Sequence, residues 1–276
     1  MDAYAHAADV VRRRDRDRYL AALFAPKSAR RHLMALAAFA SEVGRAGEAV
    51  RDPMGGAIRL QWWRDALAAG EAGGHPIATA VIETARAHAL PSAAFEMLLD
   101  ARSFDLADEP MASLAELEAY AGATAGSLIH LDALVLGAGF DDDGAAAAGH
   151  GGVAATLAAV MRGLPRHPAR GQRYLPDDLV AAHGLDRQTV IAGRATPELA
   201  ALLAELRSVA HRHLTAAEIA VARLAPAARP AYLPLAVVGP TLDRLERVAA
   251  GDLLARPVEL PPWRRQWLIW RAARRR

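Results

Sequence analysis

Residues 29–43 read ARRHLMALAAFASEV and set Leu33, Leu36, Ala37 and Ala40 at three- and four-residue steps. That spacing lines one face of an α-helix. The same period returns along the chain, and strict alternation is absent over any useful length. A sequence without alternating runs has no half-buried strands from which to build a sheet, so the expected fold class is all-α. Composition agrees. Ala dominates a hydrophobic fraction of 53%, aromatics are only 5%, and Ala, Arg, Leu and Glu are the strongest helix formers. At 276 residues the chain is long enough for a large core. With no internal repeat or linker, it reads as one helical domain over residues 1–276.

The element boundaries follow from local signals. Residues 54–68 begin behind Pro53, a good first-turn residue, and set Ile58, Trp62 and Asp65 on one line. The runs 75–90 and 91–106 also open around a proline. Ser113 with Glu116 has the capping-box spacing, and the helical segment it starts should stop at Gly137 and Gly139. Residues 141–152, DDDGAAAAGHGG, read as a loop leading into an apolar helix from residue 153. A short segment near residues 177–183, a long helix at about 196–224 and a Pro-broken apolar stretch at about 226–250 follow. A Trp/Arg-rich helix closes the chain at about 260–276. On it Trp263, Trp267 and Trp270 share one face, which reads first as a docking face and second as a membrane-interface pattern.

Several functions are disfavoured. The net charge of +2 is small and spread out, and the basic residues are nearly all Arg, so nucleic acid is not an expected partner. There is no cysteine, hence no disulfide and no thiolate metal site. The N-terminus lacks the apolar centre of a targeting peptide, and no stretch of spanning length is free of charge or Gly. A cytoplasmic protein, in part peripheral on the inner face of the membrane, is expected. GxxxxGK[ST], HExxH and GxSxG are absent. Gly149, Gly151 and Ala154 match GxGxxA, but no strand precedes them. The acidic turn at residues 141–144 lacks calcium-loop spacing. His211 and His213 lie two apart on a helix and point to different faces, so they do not share a metal unaided.

One stretch carries more weight. Residues 161–176, MRGLPRHPARGQRYLP, bring Arg162, Arg166, Arg170 and Arg173 up to Tyr174. They are candidate residues for binding an anion or head group, and a solvated basic loop is the equal alternative.

The segments YLAALFAP from Tyr19, IRLQWWRDAL (58–67), LEAYAGATAGSL (117–128) and ARGQRYLPDDLVAAHGL (169–185) together resemble the squalene/phytoene synthase family, in family order over roughly two-thirds of the chain. The resemblance implies an isoprenoid (prenyl) synthase-like helical bundle with a central apolar cavity. Active members join prenyl diphosphates with Mg²⁺ held by two DxxxD-type motifs, because departing diphosphate needs its charge neutralised by hard-ligand cations. Aligned on the neighbouring motifs, those positions here read Gly44-Arg45-Ala46-Gly47-Glu48 and Gly163-Leu164-Pro165-Arg166-His167. Gly44, Glu48, Gly163 and His167 therefore mark degenerate motifs, and no catalytic or metal-ligating set is assigned.

The pattern is similar to the branch that includes the mitochondrial complex I assembly factor of this type. In that branch Arg59, Gln61, Trp63, Tyr174 and Asp178 have counterparts, and with Tyr19 they form the expected cavity or scaffold motif. The resemblance implies a non-catalytic assembly or binding factor for respiratory complex I, the NADH dehydrogenase. Its expected partners are complex I subunits or assembly intermediates, an isoprenoid or lipid ligand, and a membrane surface. No cofactor is expected under that reading. The alternative is a prenyltransferase acting on isoprenyl diphosphates through an atypical metal site, with Mg²⁺ as cofactor.

Overall fold

A computed structural model describes residues 2–46, 53–107, 109–138, 141–166 and 174–275. In chain order its α-helices are α1 (Ala3–Arg14), α2 (Arg16–Ala22), α3 (Lys27–Val43), α4 (Pro53–Ala69) and α5 (Pro76–Ala87). Then come α6 (Ser92–Arg102), α7 (Leu114–Ala121), α8 (Ser127–Val135), α9 (Asp142–Gly163) and α10 (Asp177–Ala182). The last five are α11 (Arg187–Ile191), α12 (Pro197–Arg223), α13 (Val238–Glu246), α14 (Ala250–Ala255) and α15 (Pro262–Arg274). No strand occurs among the described residues, and the all-α expectation holds.

Short-range chemistry fixes many of the ends. Asp2, Asp15, Ser113, Asp141 and Thr196 each accept a hydrogen bond from a first-turn N–H of the helix they precede. Such a cap is worth about 1 kcal/mol. Ser113 Oγ takes the Glu116 N–H at 3.2 Å, while Glu116 Oε2 reaches the Ala112 N–H at 3.1 Å. Only half of the reciprocal capping box therefore forms. Gly137, at φ +83°, stops the chain after α8 in the left-handed region that glycine tolerates.

Two apolar cores share α8. One is built from α1, α3, α4, α5 and α6, with Leu36, Phe39, Leu60, Trp63 and Leu98 buried in it. The other is built around α9 and α12, with Leu157, Met161, Leu202, Leu206 and Ala210 buried. Leu128, Leu131 and Val135 of α8 face the first core, and Ile129 and Ala133 face the second. That double burial explains why α8 is apolar on nearly all sides. Helices α9 and α12 run antiparallel, since Asp143 meets Arg223 at 3.2 Å and His150 meets His213 at 2.9 Å. Helix α9 is long and apolar enough to cross a bilayer, and here it is the centre of the second core.

Three sequence expectations need correction. The inward stripe of α4 is Gly56, Leu60, Trp63 and Ala66, whereas Ile58 and Asp65 are exposed. The Trp pair splits. Trp63 is buried against Phe39, with ring centroids 4.9 Å apart, and Trp62 is half-buried.

Residues 142–152 are not a loop but the first three turns of α9. Asp141 caps them, Asp142 and Asp143 complement the helix dipole, and Ala fills the run. The glycines there serve packing. A Cβ on Gly152 would stand 2.4 Å from the Gly126 backbone N, so α9 crosses the π-helical turn Gly122–Gly126 in backbone contact. That turn joins α7 to α8, and such π-bulges gather at functional sites.

Finally, α15 does not dock by its Trp face. Ile269 is fully buried, and Leu268, Ala272 and Ala273 pack with it against Leu233, Val237 and Ala21. At 100° per residue the tryptophans lie on the opposite side.

Candidate functional site

The end of α6, the 3₁₀ turn Ser103–Leu106, α7 and Tyr174 converge on one polar cluster. Asp105, almost fully buried, is its hub. Its Oδ1 accepts from Tyr174 Oη at 2.7 Å and Tyr120 Oη at 2.8 Å, and its Oδ2 accepts from Arg102 Nη1 at 3.0 Å. Arg102 Nη1 also donates to Tyr120 Oη at 2.7 Å. The rings of Phe104, Tyr120 and Tyr174 pack mutually, with centroids 5.7–5.8 Å apart, and hold both phenols in place. Above the cluster lies a cavity of about 320 Å³. Thr124 and Ala125 of the π turn line it from one side, and Ala155, Thr156, Ala159 and Val160 of α9 from the other.

The electrostatics keep Arg102 charged and both phenols neutral. Burial works against the Arg102 charge, but Tyr120 and Asp105 more than offset it and hold the guanidinium above its ordinary value. Burial pushes the Tyr120 phenol up; Arg102 pulls it back only partly, and Asp105 adds to the rise. Tyr174 is driven up by burial, then by Tyr120 and Asp105. The phenols are therefore neutral donors rather than bases. Arg102 Nε is buried with no hydrogen-bond partner among the described residues, an expensive state for a charged group.

Arg102 also reaches the first degenerate motif. Gly44 directly follows α3, and a Cβ placed on it would stand 3.7 Å from Arg102 Cζ and 3.8 Å from its Nη2. Where the resemblance implies a carboxylate, this chain has a glycine with a guanidinium beside it. The second motif is Gly163, the last residue of α9, followed by the 3₁₀ turn Leu164–Arg166, so the helix ends where the second pair of aspartates would project. Pro165, which cannot continue the ladder, accounts for the stop.

Among the described residues the donor set does not fit a magnesium cluster. Gly44, Arg45, Ala46, Gly163, Leu164 and Pro165 carry no carboxylate. Carboxylates nearby are engaged: Glu42 with Arg14 at 2.7 Å, Asp100 with Arg64 at 2.6 Å, and Asp105 in its cluster. Among the described residues no group of three His, Asp or Glu is placed to hold a metal. Glu48 and His167 lie outside the described residues.

The other sequence candidates scatter. Arg162 does not meet the cavity; it lies 3.6 Å from Glu259, which also takes Arg265 at 3.0 Å. Arg170, Arg173 and the side chain of Arg166 lie outside the described residues. Tyr174 is committed to Asp105. Tyr19 is half-buried at the edge of the first core. Arg59 and Gln61 are exposed on α4, Gln61 donating to Asp65 at 2.8 Å. Asp178 is a structural tie: both its oxygens lie 3.1 Å from the Leu114 N–H at the start of α7. Of the scaffold set, Trp63 is core and Asp178 a brace. His213 is half-buried against His150 and Glu118, while His211 is exposed.

Sequence reasoning missed Arg102 and Tyr120 as a pair. Tyr120 lies inside the LEAYAGATAGSL segment, but nothing in the pattern around Arg102 separates it from the other arginines.

Comparison with known proteins agrees with this geometry. The profile of the squalene/phytoene synthase family matches residues 11–264. The chain is 29% identical over 250 residues to NADH dehydrogenase (ubiquinone) complex I, assembly factor 6 of Rattus norvegicus, covering 90% of this chain and 75% of that protein. It is 31% identical over 260 residues to the phytoene synthase of Thermus thermophilus, covering 92% and 86%. In structure it is similar to squalene synthase HpnC from Alicyclobacillus acidocaldarius, with a TM-score of 0.75 at 21% identity over 93% and 95% of the two chains. Motifs, architecture and profile lead to one assignment: the chain belongs to the squalene/phytoene synthase family.

Proposed function

We propose that this protein is a non-catalytic member of its family and serves as an assembly factor for respiratory complex I. One observation carries the proposal. The Arg102 guanidinium stands against Gly44, at a position where prenyl transfer requires a metal-binding carboxylate. A guanidinium has donors only and offers Mg²⁺ no ligand, and each lost contact to the leaving diphosphate costs orders of magnitude in rate. The relatives named complex I, assembly factor 6 support the role. The partners in this reading are subunits of NADH dehydrogenase or its assembly intermediates, and the site of action is the cytoplasmic side of the membrane. The cavity beside Arg102 holds an apolar isoprenoid or lipid chain, its anionic head meeting the Arg102 guanidinium.

The second reading is a prenyltransferase. The 31% identity to a phytoene synthase favours it. One assay separates the two: purified protein with farnesyl or geranylgeranyl diphosphate and Mg²⁺, scored for diphosphate release. The proposal expects none above background. Mg²⁺-dependent release that disappears in Glu48→Gln would establish the second reading instead.

A further inference from the structure

Among the described residues, three of the exposed large apolar side chains are tryptophans on helix α15. Trp263 is 68% exposed, and Trp267 and Trp270 are 45% exposed. These are three of the five tryptophans in the chain. Exposed apolar residues scattered singly are ordinary; three large ones aligned on one helix face mark an interaction surface. The face is held rigid from behind. Ile269 and its neighbours bury the opposite side, and Arg265 is tied to Asp17 and Glu259.

Its charge identifies the occupant. Residues 262–275 contain no Asp or Glu. Arg271 lies over the Trp267 ring and Arg274 over the Trp270 ring, each at 5.0 Å from the centroid. Stacked this way, the guanidinium groups flank the indoles and remain available to an anionic surface. Arg264, Arg271, Arg274 and Arg275 have no carboxylate partner among the described residues. A groove of about 660 Å³ beside the helix is lined by Leu233, Leu268 and Ala272 together with Arg229, Arg271 and Arg275, three cationic groups against one carboxylate, Glu218. A second copy of this chain seated on the ridge would set arginines against arginines. Indole at the headgroup level, with arginine meeting anionic headgroups, satisfies both halves of the surface.

We propose that the Trp–Arg ridge of α15 is a docking surface for an anionic phospholipid bilayer. The inference stands apart from the complex I reading, and either can fail alone.

The test is co-sedimentation of the full chain with vesicles of phosphatidylcholine alone or mixed with phosphatidylglycerol, with indole fluorescence recorded in parallel. The proposal expects binding to the anionic vesicles, a blue-shifted emission, and release at high salt. Combined Trp263→Ala, Trp267→Ala and Trp270→Ala, and separately combined Arg264→Gln, Arg271→Gln and Arg274→Gln, should each weaken binding about tenfold or more with the thermal midpoint retained, because these side chains face away from the core. Absence of binding to anionic vesicles overturns the proposal. So does equal binding to neutral vesicles, unchanged binding in both folded variants, or a solution dimer that the Trp variant dissociates.

Discussion

Substituting Asp105→Asn probes the polar cluster most sharply. Asp105 receives three donors through two oxygens: both phenols on Oδ1 and Arg102 on Oδ2. Asparagine has one acceptor oxygen. Whichever way the amide sits, its NH₂ faces a donor, so either the guanidinium or both phenols lose their acceptor. A hydrogen bond to a charged group contributes about 1.5–3 kcal/mol. Breaking one side of a buried ion pair costs about 3–5 kcal/mol, because the other charge remains buried. The Asp105 side chain is 2% exposed and that of Arg102 24%, which places the loss near the lower figure, about 3 kcal/mol.

For a chain of this size that lowers the melting midpoint by about 6–12 °C, at roughly 2–4 °C per kcal/mol. Tyr174→Phe removes one phenol donor and leaves Asp105 two others, so the expected loss is about 1 kcal/mol. Adding Arg102→Met to Asp105→Asn removes the stranded charge and should recover part of the stability, since apolar replacement of a buried pair is often close to neutral. Thermal unfolding followed by circular dichroism reads all three. A midpoint for Asp105→Asn no lower than that of Tyr174→Phe would refute the claim that Asp105 neutralises a buried guanidinium.

Two further predictions test other parts of the account. Gly152→Val on α9 forces a Cβ to 2.4 Å from the Gly126 backbone and should destabilise by about 1–3 kcal/mol, whereas Gly149→Ala, with nothing within 4 Å of its Cβ, should stabilise by about 0.5–1 kcal/mol in the same denaturant titration. Burial pushes the Asp132 carboxyl up to about 7, with Arg18 at 2.9 Å only partly opposing it. The folded state then binds the proton more tightly than the unfolded state, so this group's stabilisation is complete below about pH 4 and lost as pH rises towards 7; Asp132→Asn should remove that component of the pH slope in unfolding titrations.

The helices were legible because the period of apolar residues, the prolines at their starts and the capping side chains are all local. The stop at Pro165 and the long helix α12 follow from such signals. What failed is equally physical. Residues 142–152 look like a loop because glycines lower helix propensity, yet Gly151 and Gly152 are there to admit Leu235 and the Gly126 backbone, a tertiary demand that no local pattern carries. On α4, a line through Ile58, Trp62 and Asp65 is as good a helical line as one through Leu60 and Trp63, and only a tertiary neighbour, Phe39, decides between them. The α15 tryptophans were read first as a docking face because large apolar stripes usually are; the smaller Leu268, Ile269 and Ala272 face fits the 3₁₀ run Arg229–Val237 instead. The loss of the metal motifs was visible in the letters themselves. That Arg102 occupies the space beside Gly44 was not, because the end of α6 and the end of α3 are far apart in sequence.

The central claim is most directly tested in cells that lack this chain, by native gel electrophoresis of the respiratory membranes with in-gel NADH dehydrogenase staining. The account predicts loss of fully assembled complex I, accumulation of smaller assembly intermediates, and recovery of the complete enzyme when the chain is restored. Complex I present at full size and in wild-type amount in the deleted cells would contradict it.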